Sequence, residues 1–288
     1  MRNITLDNIS ETVRASFKEA EEPRLREVIA SLVTHLHAFA RETKLTHDEW
    51  NAGIDFLYRA GRISDERRNE FILTSDVLGL SSLVDILNGS PEGTESSVLG
   101  PFYVDGAPEV PVGASLVGDN GGERVLMRGQ VLDVDGHPIE GALLDFWQTN
   151  ADGLYSQMDP RQAPFNLRCR MRTDADGRYA LVTVKPRYYS VPYDGPVGAL
   201  LRAGGRHAWR PSHFHVVVTA PGCRRLVTEI FADDDPYIDG DAVFGVRKAL
   251  VAHFARREVA AAAAPYRVEA PFFEVNFDFR LLAEDAGA

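Results

Sequence analysis

Two histidines stand two residues apart in Ser212-His213-Phe214-His215-Val216-Val217-Val218, at the head of a β-branched run. On a strand, residues i and i+2 project from the same face, so both imidazoles can reach one ion. Packed or surface histidines use the same spacing. The chain adds no third clustered histidine and no HExxH pattern, so a zinc-hydrolase set is incomplete. It does concentrate tyrosine in turn-rich segments: Tyr155 follows Asp152-Gly153, and Tyr188, Tyr189 and Tyr193 share a Pro/Gly-rich loop. Phenolate is a hard, electron-rich anion. It suits a ferric ion far better than zinc or copper(I), and its charge donation holds iron ferric. Loop packing with the hydroxyl satisfied is the competing use of these tyrosines. His35 and His37 fall on a predicted helix, where they point about 200° apart and cannot share a metal. His47, His137 and His253 are isolated.

These residues need elements to hold them. From Pro23 the apolar positions Leu25, Val28, Ile29, Leu32, Val33, Leu36, Phe39 and Ala40 make one stripe of an amphipathic helix, with Pro23 in its first turn. Thr46 followed by Glu49 is a capping box that opens a further helix, with Trp50, Ile54, Leu57 and Tyr58 expected inward. Ser64 is expected to cap a helical stretch reaching Leu87, broken near Gly79, and Asn88–Gly93 ends the helical region. The period then changes to two. Val125, Met127, Gly129 and Val131 alternate with other residues; Asp135-Gly136 turns the chain; and strands are expected over Ala142–Thr149, Arg178–Val184, His213–Thr219 and Leu226–Phe231. Phe273, Val275, Phe277 and Phe279 share a face near the end, and a helix is expected over Ala242–Arg257. The pattern predicts an α+β chain: a helical N-terminal domain, residues 1–93, then a mainly antiparallel β-sandwich, residues 94–288.

Length and composition close off other classes. The 288 residues carry 44% hydrophobic and 25% charged side chains, an ordinary globular balance. With 31 basic against 42 acidic residues the formal charge is −11, which repels phosphate backbones and argues against a nucleic-acid partner. No apolar run approaches the roughly 18 residues of a membrane span. The opening MRNITLDNISETVRASF has early acids and no apolar core, unlike a secretory signal. Cys169 and Cys223 form no framework and no CxxC, so a reducing cytoplasm is the expected compartment.

Taken together, Thr94–Phe102 (TESSVLGPF), Asp145–Asp159 (DFWQTNADGLYSQMD), Gly177–Val184, Arg210–His215 (RPSHFH) and Asp241–Val246 (DAVFGV) resemble the intradiol ring-cleaving dioxygenases, and within them the hydroxyquinol-cleaving branch. The resemblance spans nearly the whole chain. It implies a non-haem ferric enzyme, with one Fe(III) per chain, that opens a catechol or trihydroxybenzene between adjacent hydroxyls using O2. Hydroxyquinol (benzene-1,2,4-triol) would give 3-hydroxy-cis,cis-muconate, the enol form of maleylacetate; catechol or chlorocatechol is the alternative substrate, and a non-enzymatic ligand-binding sandwich the distant one.

The family's WxxNxxGxY pattern matches Trp147, Asn150, Gly153 and Tyr155, so the resemblance implies Tyr155 as the first tyrosinate ligand. Its second tyrosine loop matches Pro186, Tyr189, Val191, Pro192, Asp194, Gly195 and Pro196, which selects Tyr189 over Tyr188; Ser190 stands where the branch usually has proline. His213 and His215 match the paired histidine ligands and Arg210 the active-site arginine. Tyr189 would be both ligand and base, and Arg210 would stabilise charge on the ring. Leu73, Asp76, Val98, Leu99, Gly100, Pro101, Phe102, Val191, Pro192 and Val243, with Arg210, match substrate-pocket positions. An acidic acceptor at Asp76 could hold a third ring hydroxyl, which catechol lacks; facing solvent or capping a helix is its bland use. Glu229 departs from the pattern, falling where relatives commonly carry Gln or His. There it could add charge beside the metal, pair with Arg210, or point away. The resemblance also implies a homodimer through the helical domain, with lipid at the interface.

Overall fold

The structure, a computed structural model, describes residues 3–65 and 68–284. Its helices are α1 (Ile9–Ser16), α2 (Pro23–Glu42), α3 (His47–Ile63), α4 (Glu70–Val77), α5 (Leu80–Asn88) and α6 (Pro196–Ala203). The strands are β1 (Ala114–Ser115), β2 (Arg124–Asp133), β3 (Leu143–Gln148), β4 (Arg168–Arg172), β5 (Arg178–Val184), β6 (Tyr189–Ser190) and β7 (Trp209–Arg210). They continue with β8 (His213–Thr219), β9 (Leu226–Ala232), β10 (Val251–Ala252), β11 (Ala255–Arg257), β12 (Phe272–Asn276) and β13 (Phe279–Leu281). The chain divides into two compact units, Met1–Arg59 and Ala60–Ala288. No helix among the described residues is long and apolar enough to cross a membrane.

In the first unit Pro23 takes the N-terminal turn of α2, where its missing N–H is no loss. The Thr46 hydroxyl accepts from Glu49 N (3.3 Å) while the Glu49 carboxylate accepts from Thr46 N (2.9 Å), a reciprocal capping box at α3. The apolar stripe of α2 lies open: Leu25, Val28, Leu32, Leu36 and Phe39 are all exposed. So are Trp50, Ile54, Leu57 and Tyr58 on α3, contrary to the expectation that they point inward. A stripe reports an amphipathic helix; it does not say whether the chain itself covers it.

In the second unit the helical stretch begins later than Ser64. Asn69 caps α4, its side chain accepting from Phe71 N and Ile72 N, and Ser64 instead accepts from Glu70 N (3.0 Å). Gly79, at φ +75°, breaks α4 from α5 as expected. One sheet runs β1-β5-β2-β12-β11, with β13 also on β2; the other runs β10-β9-β8-β3-β4. The long neighbours β2–β5, β3–β8, β8–β9 and β3–β4 are antiparallel, and β12 and β13 join β2 in parallel. One buried cluster draws Val125, Met127, Leu181 and Val275 from the first sheet and Leu144, Phe146, Phe214 and Val216 from the second, which makes the pair a sandwich.

No α-helix forms over Ala242–Arg257, where Lys248–Leu250 makes only a single 3-10 turn. The segment's apolar spacing imitates an α-helix, but Asp241 Oδ1 and Oδ2 accept from Val243 N and Gly245 N, Phe244 sits at φ +57°, and Val251–Ala252 pair with Phe231–Ala232 of β9. Tertiary pairing overrides the local period. The helix that does occur, α6, hides in a Pro/Gly-rich stretch that reads as loop. Pro196 is its first residue, and Gly198 passes so close to the Tyr193 backbone that no Cβ fits.

Candidate metal centre

The pleat of β8 sorts its side chains. Phe214, Val216 and Val218 enter the inter-sheet core, so His213, His215 and Val217 emerge on the other face. That face is covered by a second buried cluster of Phe102, Trp147, Tyr155, Tyr189 and Val217. Register completes the row. Trp147 of β3 pairs with His215, which pairs with Glu229 of β9. The Trp147 ring stacks on His215 with centroids 4.6 Å apart and planes 4° off parallel.

Tyr155 arrives on the loop after β3. Asn150 Oδ1 accepts from Asp152 N (2.9 Å) and Leu154 N (3.0 Å), closing the turn, and Gly153 sits at φ +80°. A Cβ there would lie 2.8 Å from the Tyr188 carbonyl oxygen, so glycine is what lets this loop meet the second tyrosine segment. Tyr189 reaches the site on the two-stranded ribbon β6–β7, directly paired with Arg210. Pro211-Ser212 then leads into β8, with Ser212 Oγ donating to Pro186 O (2.6 Å) and Ser212 N to Asp235 (3.0 Å).

Four expected ligands therefore converge. Tyr155 Oη lies 3.4 Å from His213 Nε2, and the two Nε2 atoms of His213 and His215 are 3.1 Å apart. The Tyr155 and Tyr189 rings meet edge-on at 5.3 Å, and Tyr189 is 5.7 Å from His213. His213 Nδ1–H donates to the Pro211 carbonyl (2.7 Å), which leaves Nε2 as its lone-pair donor. Burial, reinforced by Arg210, pushes the His213 imidazolium down to about 4, and burial together with His213 holds His215 well below its usual range. Both rings are neutral, as metal donors must be. Burial raises both phenols, Tyr155 well above its usual range; for Tyr189 the nearby Arg210 opposes the rise.

His215 Nδ1 is buried without a hydrogen-bond partner. Two neutral imidazoles and two phenols, closed away from water, fit a hard cation that would displace the phenolic protons. His213, His215 and Glu229 also offer donor atoms within 4.8 Å of one another. Glu229, however, is taken by Arg210: Nη1 donates to Oε1 (2.7 Å) and Nη2 to Oε2 (2.9 Å). Of the three uses open to Glu229 from sequence, two are found together: it pairs with Arg210, and its Oε1, 3.4 Å from His213 Nε2 and from His215 Nδ1, puts negative charge beside the centre. Burial alone would raise its carboxyl; Arg210, His213 and the Ser97 hydroxyl outweigh it and hold the group below the usual range.

A cavity of about 350 Å3 adjoins this centre. Asp76, Val98, Leu99, Gly100 and Pro101 line it, all expected from sequence, and at Gly100, φ +71°, an added Cβ would lie 3.2 Å from His215 Cε1, so the wall passes close to that ring. Asp76 neither caps a helix nor faces solvent: it is a buried residue of α4, beside Ser81, with its carboxyl raised chiefly by burial. Leu73, Phe102, Val191, Pro192 and Val243 do not line the cavity. Leu73 and Val243 are buried, Phe102 stacks on Tyr155 at 4.6 Å, and Val191 N donates to Ala208 O beside the ribbon. Sequence reasoning missed the cavity's Arg68, Asn69, Ile72, Ser81 and Asp85. Ser81 and Asp85 sit four apart on α5 and so share a face, which was a readable signal. A larger cavity, about 520 Å3, is lined by Arg206, His207, Asp239 and Phe244 among others and by none of the four expected ligands; the chemistry lies with the smaller one.

Known proteins share this chain's sequence and fold. Residues 98–283 match the family model described as dioxygenase, and residues 22–94 the model described as catechol dioxygenase N terminus. The chain is 48% identical over 276 residues to a hydroxyquinol 1,2-dioxygenase of Rhizobium sp. (strain MTP-10005), covering 94% of each chain. It is 44% identical to a 6-chlorohydroxyquinol 1,2-dioxygenase of Cupriavidus pinatubonensis, covering 89% of this chain and 94% of that one. Among solved structures, hydroxyquinol 1,2-dioxygenase from Pseudomonas putida DLL-E4 superimposes with a TM-score of 0.91 at 43% identity, covering 97% of this chain and 99% of that one.

Proposed function

The chain belongs to the intradiol ring-cleaving dioxygenase family, and on that premise we propose that it cleaves hydroxyquinol with O2 to 3-hydroxy-cis,cis-muconate. The observation that carries the proposal is the convergence of Tyr155, Tyr189, His213 and His215 beside a cavity that holds Asp76. Those four residues would hold one Fe(III) per chain. A ferric ion there supplies the positive charge that binds an ionised diol and prepares it for O2.

The protein's part follows from the side chains. Ionised as a ligand of that ion, Tyr189 would be a tyrosinate whose Oη accepts a proton from the incoming diol, while Tyr155, fully buried under Phe102, stays in place. His213 and His215 remain neutral donors, oriented by Pro211 O and by the Trp147 ring. Arg210 presents an N–H toward the reacting ring, where a buried donor is worth most. Asp76 accepts the third hydroxyl of the triol; over a plain catechol it would be a buried carboxylate without that partner.

The division into a helical domain at 1–93 and a catalytic domain at 94–288, and a cytoplasmic location, complete the reading. A homodimer is part of it too: the exposed apolar stripe of Leu25, Val28, Leu32, Leu36 and Phe39 supports pairing through the helical domain, with lipid accommodated at that interface.

The decisive experiment is the visible spectrum of iron-loaded protein before and after anaerobic hydroxyquinol. A tyrosinate-to-iron charge-transfer band that shifts on addition, followed by ring-opened product when air is admitted, is expected. A colourless protein containing stoichiometric iron would overturn the two-tyrosinate centre. Faster turnover of catechol than of hydroxyquinol would move the substrate assignment to catechol.

A further inference from the structure

Arg210 has five N–H bonds, and the structure accounts for each. Nε and one Nη2 hydrogen face Asp241 Oδ1 and Oδ2, both at 3.1 Å. The second Nη2 hydrogen and one on Nη1 face Glu229 Oε2 and Oε1, at 2.9 and 2.7 Å. The last, on Nη1, is left toward His213 Nε2 at 3.5 Å, too long to hold it firmly, on the side where Arg210 also hydrogen-bonds the Tyr189 hydroxyl. The two carboxylates are themselves fixed. Glu229 stands opposite His215 in the β8–β9 register, with the Ser97 hydroxyl 2.6 Å from its Oε2. Asp241 accepts from the backbone N–H groups of Val243 and Gly245. Gly245 closes over the arrangement: a Cβ there would lie 2.7 Å from Arg210 Nη2 and 2.9 Å from Glu229 Oε2.

We infer that Glu229 is a positioning residue for ring cleavage: with Asp241 it engages four of the five N–H donors of Arg210 and aims the fifth at the point where the ligand side chains converge. The inference rests on the proposed ferric centre and deepens it. Arg210 is thereby presented as a single directed donor. It is not free to fork around an oxygen pair, because the donor edges that would do so are occupied. A guanidinium matched by two carboxylates also leaves the group as a whole negative, so Glu229 lowers the electron-accepting power of any cation held by His213 and His215. Stability alone is a poor reason for such a cluster, since buried ion pairs commonly return little beyond their desolvation cost. Orientation and charge beside the reacting atoms are what the arrangement provides.

The test compares iron-loaded wild type with Glu229→Gln. Glutamine keeps the shape but offers one acceptor oxygen and no charge. With iron at one per chain in both, the variant's charge-transfer band is expected to move to longer wavelength, because a less electron-rich surrounding makes the cation a better acceptor. The kcat is expected to fall at least tenfold with KM within about threefold, the pattern of an interaction made in the transition state. Iron affinity, read by chelator competition, is expected to weaken. If Glu229→Gln does not fold, Asp241→Asn opens the other edge of the same guanidinium and is expected to give the same signature. A folded, iron-replete variant with the wild-type band and the wild-type kcat overturns the inference. A colourless, iron-loaded wild type overturns the proposed function, and this inference with it; a coloured wild type beside an unchanged variant overturns the inference alone.

Discussion

Asp76 is the residue at which substrate choice and stability pull in opposite directions, and Asp76→Ala separates them. The carboxylate is 5% exposed and lines the cavity next to Ser81. A hydrogen bond from a ring hydroxyl to a buried charged acceptor contributes about 1.5–3 kcal/mol. At 1.4 kcal/mol per factor of ten, removing it lowers the ratio of kcat/KM for hydroxyquinol to that for catechol by about ten- to a hundredfold. The loss falls on hydroxyquinol, because catechol never made the bond. Stability moves the other way. Burial is the largest influence on Asp76 and raises its carboxyl above the ordinary value, against the Ser81 hydroxyl and Arg210. The folded chain then holds that proton more tightly than the unfolded one, so the ionised form costs stability at neutral pH. The cost is absent below the unfolded carboxyl's value and complete above the folded one. Asp76→Asn should therefore raise the melting temperature at pH 7 and lose that advantage below about pH 4. Steady-state kinetics on both substrates and thermal unfolding at the two pH values check the pair. An unchanged kcat/KM ratio in Asp76→Ala refutes the recognition role. A melting temperature lowered at pH 7 in Asp76→Asn refutes the desolvation argument.

Three further outcomes follow from the centre. Tyr155→Phe, His213→Ala and His215→Ala should each lose iron or nearly all turnover; metal analysis and oxygen uptake check this, and wild-type values in all three would break the ligand set. Gly153→Ala should cost about 1–2 kcal/mol for the left-handed backbone alone, and more because its Cβ meets the Tyr188 carbonyl at 2.8 Å. Chemical denaturation measures the loss, and a weakened charge-transfer band would report displaced tyrosine segments. In metal-free protein, His213 is held down to about 4 against an unfolded value near 6.5, so stability should be intact above pH 6.5 and fall as acid carries the protein toward pH 4. The full effect is on the order of 3 kcal/mol, and His213→Asn should flatten that part of the pH profile.

The β unit was legible where one face of a strand meets the core, because alternation then encodes both element and orientation. Arg178–Val184 and His213–Thr219 fall on strands with the expected limits. Alternation failed where long-range pairing decides the backbone. The segment from Ala242 has helical spacing, yet the carboxylate of Asp241 caps its turn and β9 captures its end, and neither partner is visible from a local window. The helical stripes raised a different difficulty. Leu25–Phe39 and Trp50–Tyr58 report a face that must be covered, and the chain leaves both exposed, so hydrophobic periodicity specified the surface without specifying its partner.

For the centre, the readable signal was chemical type: paired histidines on a strand and tyrosines in turns. What brings them to one point was not readable from type, since it is register. A one-residue slip of β8 against β3 and β9 would put Phe214, instead of His215, between Trp147 and Glu229 and send both imidazoles into the inter-sheet core. The tightly constrained Gly153 and Gly245 mark the other half of the construction: each is small because two segments distant in sequence must approach within one side chain's thickness. The charge clamp on Arg210 comes from the same logic. Arg210, Glu229 and Asp241 belong to β7, β9 and the turn after it, and only their packing turns one cation and two carboxylates into a single directed donor. Residue type put forward the histidine pair and a group of tyrosines, and the family resemblance selected Tyr155, Tyr189 and Arg210, while the geometry that makes them one centre is held by backbone contacts between segments that no spacing rule connects.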